Sequence, residues 1–115
     1  TDQNNEEIRR YLKKRNPFNH MSVIYKKEKV LEAGNYADCP YFEDYYLWCR
    51  MANVNCIFYN IQENLINVRA GKHMISRRVG LKYIKPIINF ENRLLKLEII
   101  NKLQCFENII TRLVY

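Results

Sequence analysis

Two adjacent carboxylates, Glu43 and Asp44, stand where the chain passes from a loop into a helical pattern, and they are the residues best suited to acid–base chemistry. Read as a helix from Glu43, the stretch EDYYLWCRMA places Tyr46, Leu47, Arg50 and Met51 on one side, with Trp48 and Cys49 beside them. That packing face anchors the segment and leaves the two acids in its first turn. There, free backbone N–H groups and the positive end of the helix dipole stabilise negative charge. An ionised carboxylate on a rigid element is a competent general base. The plainer reading is that the pair only caps a helix, and this window alone favours it, because acids are enriched at helix starts.

The elements around the pair must hold it in place. Residues 5–14 read as a short helix with Ile8, Tyr11 and Leu12 on one face, stopped by Asn16-Pro17. Next, FNHMSVIYKK alternates Met21, Val23 and Tyr25 with Ser22, Ile24 and Lys26. Its β-branched and aromatic content predicts a strand, covered on both sides because both sets hold apolar residues. Residues 28–33 predict a helix of one to two turns ended by Gly34-Asn35, a pair suited to a left-handed C-cap. A loop through Asp38 and Pro40 delivers the chain to the acids. Beyond their helix, CIFYN and NLINVRA predict two short strands, and residues 69–73 a basic, flexible connection. From Met74 the pattern is helical, with Pro86 as a break or a first-turn residue, giving one long helix or two in succession.

The chain has 115 residues, one domain or part of one, and 48% apolar content with 27% charged residues argues for a folded, soluble protein. No apolar run is long enough to span a bilayer, and TDQNNEEIRR has no signal-peptide hydrophobic region. Cys39, Cys49, Cys56 and Cys105 lack metal-ligand spacing, so they read as reduced and buried rather than as zinc ligands or a disulfide framework. The net charge of +7 is uneven: from Arg69 onward ten Lys and Arg stand against three Glu, whereas residues 1–68 carry nine of each sign. Such asymmetry points to an anionic partner, whether a phosphate, a nucleic acid or an anionic membrane face.

Three stretches, RNPFNHMSVIYKKEKVLEAGNY, FEDYYLWCRM and ENLINVRAGKHMISRRVGLKYIK, occur in that order. Together they resemble the C-terminal part of a bacterial family 2 glycosyltransferase of the GT-A type, from about residue 8 to about residue 97. The Asn-His after the Asn-Pro, the acidic pair before Tyr-x-Leu-Trp, and the Arg-x-Gly followed by Arg-Arg carry the likeness. The family's nucleotide-binding half ends in a DxD motif that holds a divalent metal on the donor, and this chain contains no Asp-x-Asp. The resemblance therefore implies an α+β, partial GT-A-like fragment. It would have a few short strands, a central helix opening on acids and a long C-terminal amphipathic helix or helix pair. Residues 1–73 would form the strand and helix catalytic portion, and residues 74–115 a basic helical tail. A piece lacking its parent sheet could cover exposed edges by forming a homo-oligomer.

By position in the acidic motif, the resemblance assigns Asp44 the role of general base toward an acceptor hydroxyl, with Glu43 orienting it or touching the acceptor. Arg69, Lys72, Arg77 and Arg78 fall on a segment that resembles a loop closing over the donor diphosphate, where Arg can grip phosphate with two bonds. His20 is a candidate for the metal or the acceptor, set against a structural histidine bonded to nearby backbone. Tyr41 and Tyr45 are the candidate acceptor contacts, since aromatic faces stack on sugars, while Trp48 reads as core. The implied partners are a nucleotide-sugar donor and a glycan or lipid-linked acceptor, with Mn or Mg in the full-length enzyme and no metal on this stretch alone. The expected location is cytoplasmic, peripheral at the inner face of the membrane, with Leu, Ile and Phe of the final helix opposing its basic residues. A basic module for nucleic acid is the competing class. Against it, the cations are spaced by apolar residues along an amphipathic helix and form no nucleic-acid motif.

Overall fold

The computed structural model describes residues 3–67, 69 and 81–114. Five α-helices are present among them: α1 (Asn5–Leu12), α2 (Lys27–Glu32), α3 (Glu43–Asn53), α4 (Ile84–Lys96) and α5 (Lys102–Val114). Short 3-10 turns occupy His20–Ser22 and Leu81–Tyr83. The helix starts follow local chemistry. Asn4 caps α1 by accepting from the Glu7 backbone N–H at 2.9 Å. Asn101 and Gln104 form a reciprocal capping box at the start of α5, each side chain accepting from the other's backbone N–H at 2.8 and 3.0 Å. Pro86 sits in the first turn of α4, where its missing N–H breaks no helical bond.

The helical pattern from Met74 resolves into two helices, with residues 74–80 outside those described. The chain turns between α4 and α5 through Glu98, which adopts the left-handed region at φ 61°, and the Ile99 N–H reaches back to the Leu94 carbonyl at 3.2 Å. At the end of α2, Gly34 and Asn35 adopt φ of 96° and 61°, the left-handed cap expected for that pair. A side chain at Gly34 would also meet the guanidinium of Arg50 at 3.2 Å.

The central element is α3, against which both α2 and α4 pack. Its buried residues are Tyr45, Leu47, Trp48, Cys49, Met51 and Ala52, so it is covered over most of its circumference rather than along one stripe. Tyr46 and Arg50, expected on the buried face, are half-buried, and the Arg50 guanidinium lies 4.5 Å over the Tyr46 ring. Phe42 stacks on Phe90 of α4 at 4.4 Å, and Tyr45 leans on the same ring at 4.7 Å. Ile8 and Leu12 of α1 and Leu94 of α4 complete the core. All four cysteines are free and buried.

The strands expected in the α+β reading are not formed among the described residues. FNHMSVIYKK contains a 3-10 turn instead, and with Met21 58% and Ile24 95% exposed it is not covered on both sides. CIFYN keeps the alternation of a strand, with Cys56 and Phe58 buried and Ile57 and Tyr59 exposed. Its backbone bonds, however, go to α1 and the chain before it: Phe58 N–H donates to the Asn5 side chain at 3.0 Å, and Asn60 N–H to the Gln3 carbonyl at 3.1 Å. In NLINVRA, Leu65 and Ile66 are exposed, and Val68 and Ala70 fall outside the described residues. A period-2 pattern needs a neighbouring strand to become a sheet, and the described chain offers none.

Candidate active site

Asp44 occupies the second position of α3, after Phe42, whose side chain provides no cap. Its Oδ1 accepts from the Tyr45 backbone N–H at 2.8 Å, and its Oδ2 accepts from the Asn16 side-chain amide at 3.1 Å. Asn16 is itself fixed, because its Oδ1 accepts from the Phe18 N–H at 3.1 Å. That bond turns the amide's NH2 toward the carboxylate. The Asn16-Pro17 pair, read from sequence as a helix stop, thus also holds the acid in place.

Asp44 lines a cleft of about 780 Å³ between the end of α1, the start of α3 and α5. Tyr41 lines it too, at φ 69° and 42% exposed, with its ring edge-on to Tyr83 at 4.9 Å. Tyr45 reaches the cleft from within the core: it is buried, its hydroxyl donates to the Leu12 carbonyl, and burial holds that hydroxyl well above its ordinary pKa. Glu43 is exposed and does not line the cleft, and the side chain that meets Asp44 is Asn16. His20 is exposed as well, edge-on to Tyr36 at 6.0 Å. The Tyr36 hydroxyl is pushed up by partial burial first, then by Tyr25, with the charge of Asp44 adding to the shift. Arg69 is exposed, and Lys72, Arg77 and Arg78 lie outside the described residues. Among the described residues no three His, Cys, Asp or Glu side chains converge to hold a metal.

The far wall of the cleft includes Asn108 and Arg112, and the residue that ties them together, outside the lining, was not singled out by the sequence pattern. Glu91 on α4 is fully buried. It accepts from Arg112 Nε at 2.7 Å and from the Asn108 amide at 3.2 Å, both on α5. Asn108 also donates to the Lys13 carbonyl at 2.8 Å, and Arg112 Nη2 to the Lys14 carbonyl at 3.0 Å. With Tyr45 on Leu12, three side chains satisfy the carbonyls that α1 leaves open at its C-terminus. The Arg112 guanidinium also lies within 6 Å of the Phe42, Tyr45 and Phe90 rings, at 5.8, 5.6 and 5.7 Å. One signal could have found this hub: Glu91 falls at helical spacing between Ile87 and Leu94, and an acid on an apolar stripe needs a partner when buried.

No family model matches the chain, and no solved structure matches it. Three curated relatives do. It is 42% identical over 81 residues to the amylovoran biosynthesis glycosyltransferase AmsE of Erwinia amylovora, covering 70% of this chain and 30% of the relative. It is 40% identical over 93 residues to an uncharacterized glycosyltransferase of Haemophilus influenzae, covering 81% and 33%. It is also 35% identical over 106 residues to the Escherichia coli UDP-Gal:alpha-D-GlcNAc-diphosphoundecaprenol beta-1,3-galactosyltransferase, covering 92% and 38%. The chain thus spans about a third of the length of these relatives.

Proposed function

The chain is related in sequence to bacterial glycosyltransferases, and from that premise we propose that it forms the acceptor-side, C-terminal portion of such an enzyme, of family 2 and inverting. In this reading Asp44 takes the proton of an acceptor hydroxyl as its oxygen attacks the anomeric carbon of a nucleotide-sugar. The bond to the nucleoside diphosphate breaks with its electrons passing to the departing phosphate oxygen. A single carboxylate and one direct displacement invert the configuration. The observation that carries the proposal is the placement of Asp44: a carboxylate held from two sides, by Asn16 and the Tyr45 N–H, on the wall of the cleft.

Tyr41 would offer a ring to the acceptor sugar, and Tyr45 the edge of its ring. We keep Arg69, Lys72, Arg77 and Arg78 as candidate ligands of the donor diphosphate. The Mn or Mg ion of the full-length enzyme would supply Lewis-acid stabilisation of the leaving group, and we assign it no ligand among the described residues. The acceptor is proposed to be a glycan or a lipid-linked sugar in polysaccharide or glycoconjugate synthesis. Among the described residues no helix is long and apolar enough to cross a membrane. A peripheral seat on the inner membrane face is supported by Leu103, Phe106, Ile110, Leu113 and Val114, which are all exposed and form one arc of α5.

The test is turnover in the enzyme containing this stretch. Asp44→Asn keeps the shape of the side chain and its one remaining oxygen can accept from the Tyr45 N–H, but its NH2 cannot accept from the Asn16 amide, so that bond is lost together with the basic oxygen. Transfer should fall about 10²- to 10⁴-fold, in kcat more than in donor affinity, with the thermal midpoint little changed. Glu43→Gln should lower turnover less. Near-normal turnover in Asp44→Asn would overturn the assignment, and an unfolded variant would reduce the acid to a helix-start residue.

A further inference from the structure

Lys14 and Arg15 both line the cleft, and both are exposed. Neither forms an ion pair among the described residues. The backbone beneath them is unusually well fixed. The carbonyls of Leu12, Lys13 and Lys14 accept from Tyr45, Asn108 and Arg112, and Asn16 is tied to Asp44 and to Phe18. Two cations are therefore presented from an immobilised segment, one and two residues before the side chain that positions the proposed base. Arg112, the third cation of the cleft, is neutralised by Glu91 and is not free to bind an anion.

The cleft also holds the carboxylates Asp44 and Glu107. A wholly anionic ligand is repelled by these acids, and a wholly neutral one makes no use of the cations. The combination suits a ligand anionic at one end and hydroxyl-bearing at the other, which the charges would orient as it enters. We infer that Lys14 and Arg15 form an anion subsite for the acceptor, taking a phosphate or diphosphate attached to the acceptor sugar while Asp44 faces the hydroxyl. This rests on the acceptor-side reading above and specifies its substrate class: a sugar phosphate rather than a neutral glycan. Arg15 supplies a planar pair of donors to the phosphate oxygens and Lys14 a mobile point charge.

The experiment titrates the protein with inorganic pyrophosphate, following backbone amide shifts. Binding should be saturable, with the shifts centred on residues 13–16 and 44. Lys14→Gln combined with Arg15→Gln should weaken it by about tenfold or more at an unchanged thermal midpoint, because both side chains are exposed. Unaltered affinity in the double variant, or loss of binding on Arg77→Gln instead, overturns the subsite. So does binding to anionic phospholipid vesicles that the double variant abolishes and pyrophosphate does not displace, since the two cations would then serve a lipid headgroup surface. In the enzyme, the same double variant should raise KM for a sugar-diphosphate acceptor well above any change for the neutral sugar. Pyrophosphate binding requires no transfer chemistry. If Asp44→Asn keeps full turnover while the double variant loses pyrophosphate, the base assignment fails and the subsite stands.

Discussion

Asn16 shows how a base can be held without being exhausted. Its amide is oriented by the Phe18 N–H, so the NH2 group, rather than the oxygen, faces Asp44. One carboxylate oxygen takes that bond and the other takes the Tyr45 N–H, which leaves lone pairs on both for a substrate proton. Asn16→Ala should lower kcat about tenfold with a smaller change in KM, and cost about 1 kcal/mol of stability for the lost bonds. Steady-state kinetics beside urea unfolding checks both; a variant with normal kcat would make Asn16 purely structural. The acid itself was legible in the sequence, because a carboxylate pair ahead of a helical pattern is a local signal. Its partner lies 28 residues earlier, and no local pattern records a contact at that separation. The same holds for Tyr45, whose sequence neighbours do not reveal that its hydroxyl is committed to the Leu12 carbonyl.

At the level of elements, α5 is fastened to the rest by polar groups as much as by packing. Glu91 accepts from both Arg112 and Asn108, and removing Arg112 leaves its buried carboxylate with the neutral Asn108 amide and no countercharge. Arg112→Leu should therefore destabilise the protein by about 3–5 kcal/mol, through the uncompensated Glu91 carboxylate. Adding Glu91→Leu should recover most of that loss. Urea midpoints of the two variants check the pattern; a double variant as unstable as the single would place the cost in packing instead. The helices were largely legible, because their 3.6-residue pattern is local and Gly34-Asn35 marks the end of α2, whereas the Asn101-x-x-Gln104 box that divides the tail was not singled out. The strands were not, because alternation in CIFYN arises from an extended segment with one side against the core. Whether such a segment joins a sheet depends on a partner elsewhere in space.

Across the whole molecule, burial dominates the titration of the acidic hydroxyl and thiol groups. Cys39, Cys49, Cys56, Cys105 and Tyr45 are all pushed above their ordinary values of 9.0 and 10.0 by desolvation first. In each case the folded state holds the proton more tightly than the unfolded chain. Their contribution to stability is therefore complete below the ordinary values and is lost as pH rises through the higher folded ones. The thermal midpoint should be flat with pH from about 7 to about 8.5 and fall above about 9; a midpoint that rises over that alkaline range would contradict the burial. Native thiols should likewise resist Ellman's reagent at neutral pH, and all four should react once the protein is unfolded. The three side chains that seal the end of α1 have a further consequence, in the order of synthesis. Asn108 and Arg112 contact residues 95 and 98 positions earlier. A nascent chain can form α1, α2 and α3 as it emerges, but the wall opposite Asp44 cannot close until residue 112 has left the ribosome. The proposed site is then one of the last parts of this stretch to assemble, and a stalled or clipped chain would display Phe42, Tyr45 and Phe90 to whatever chaperone or protease meets it first.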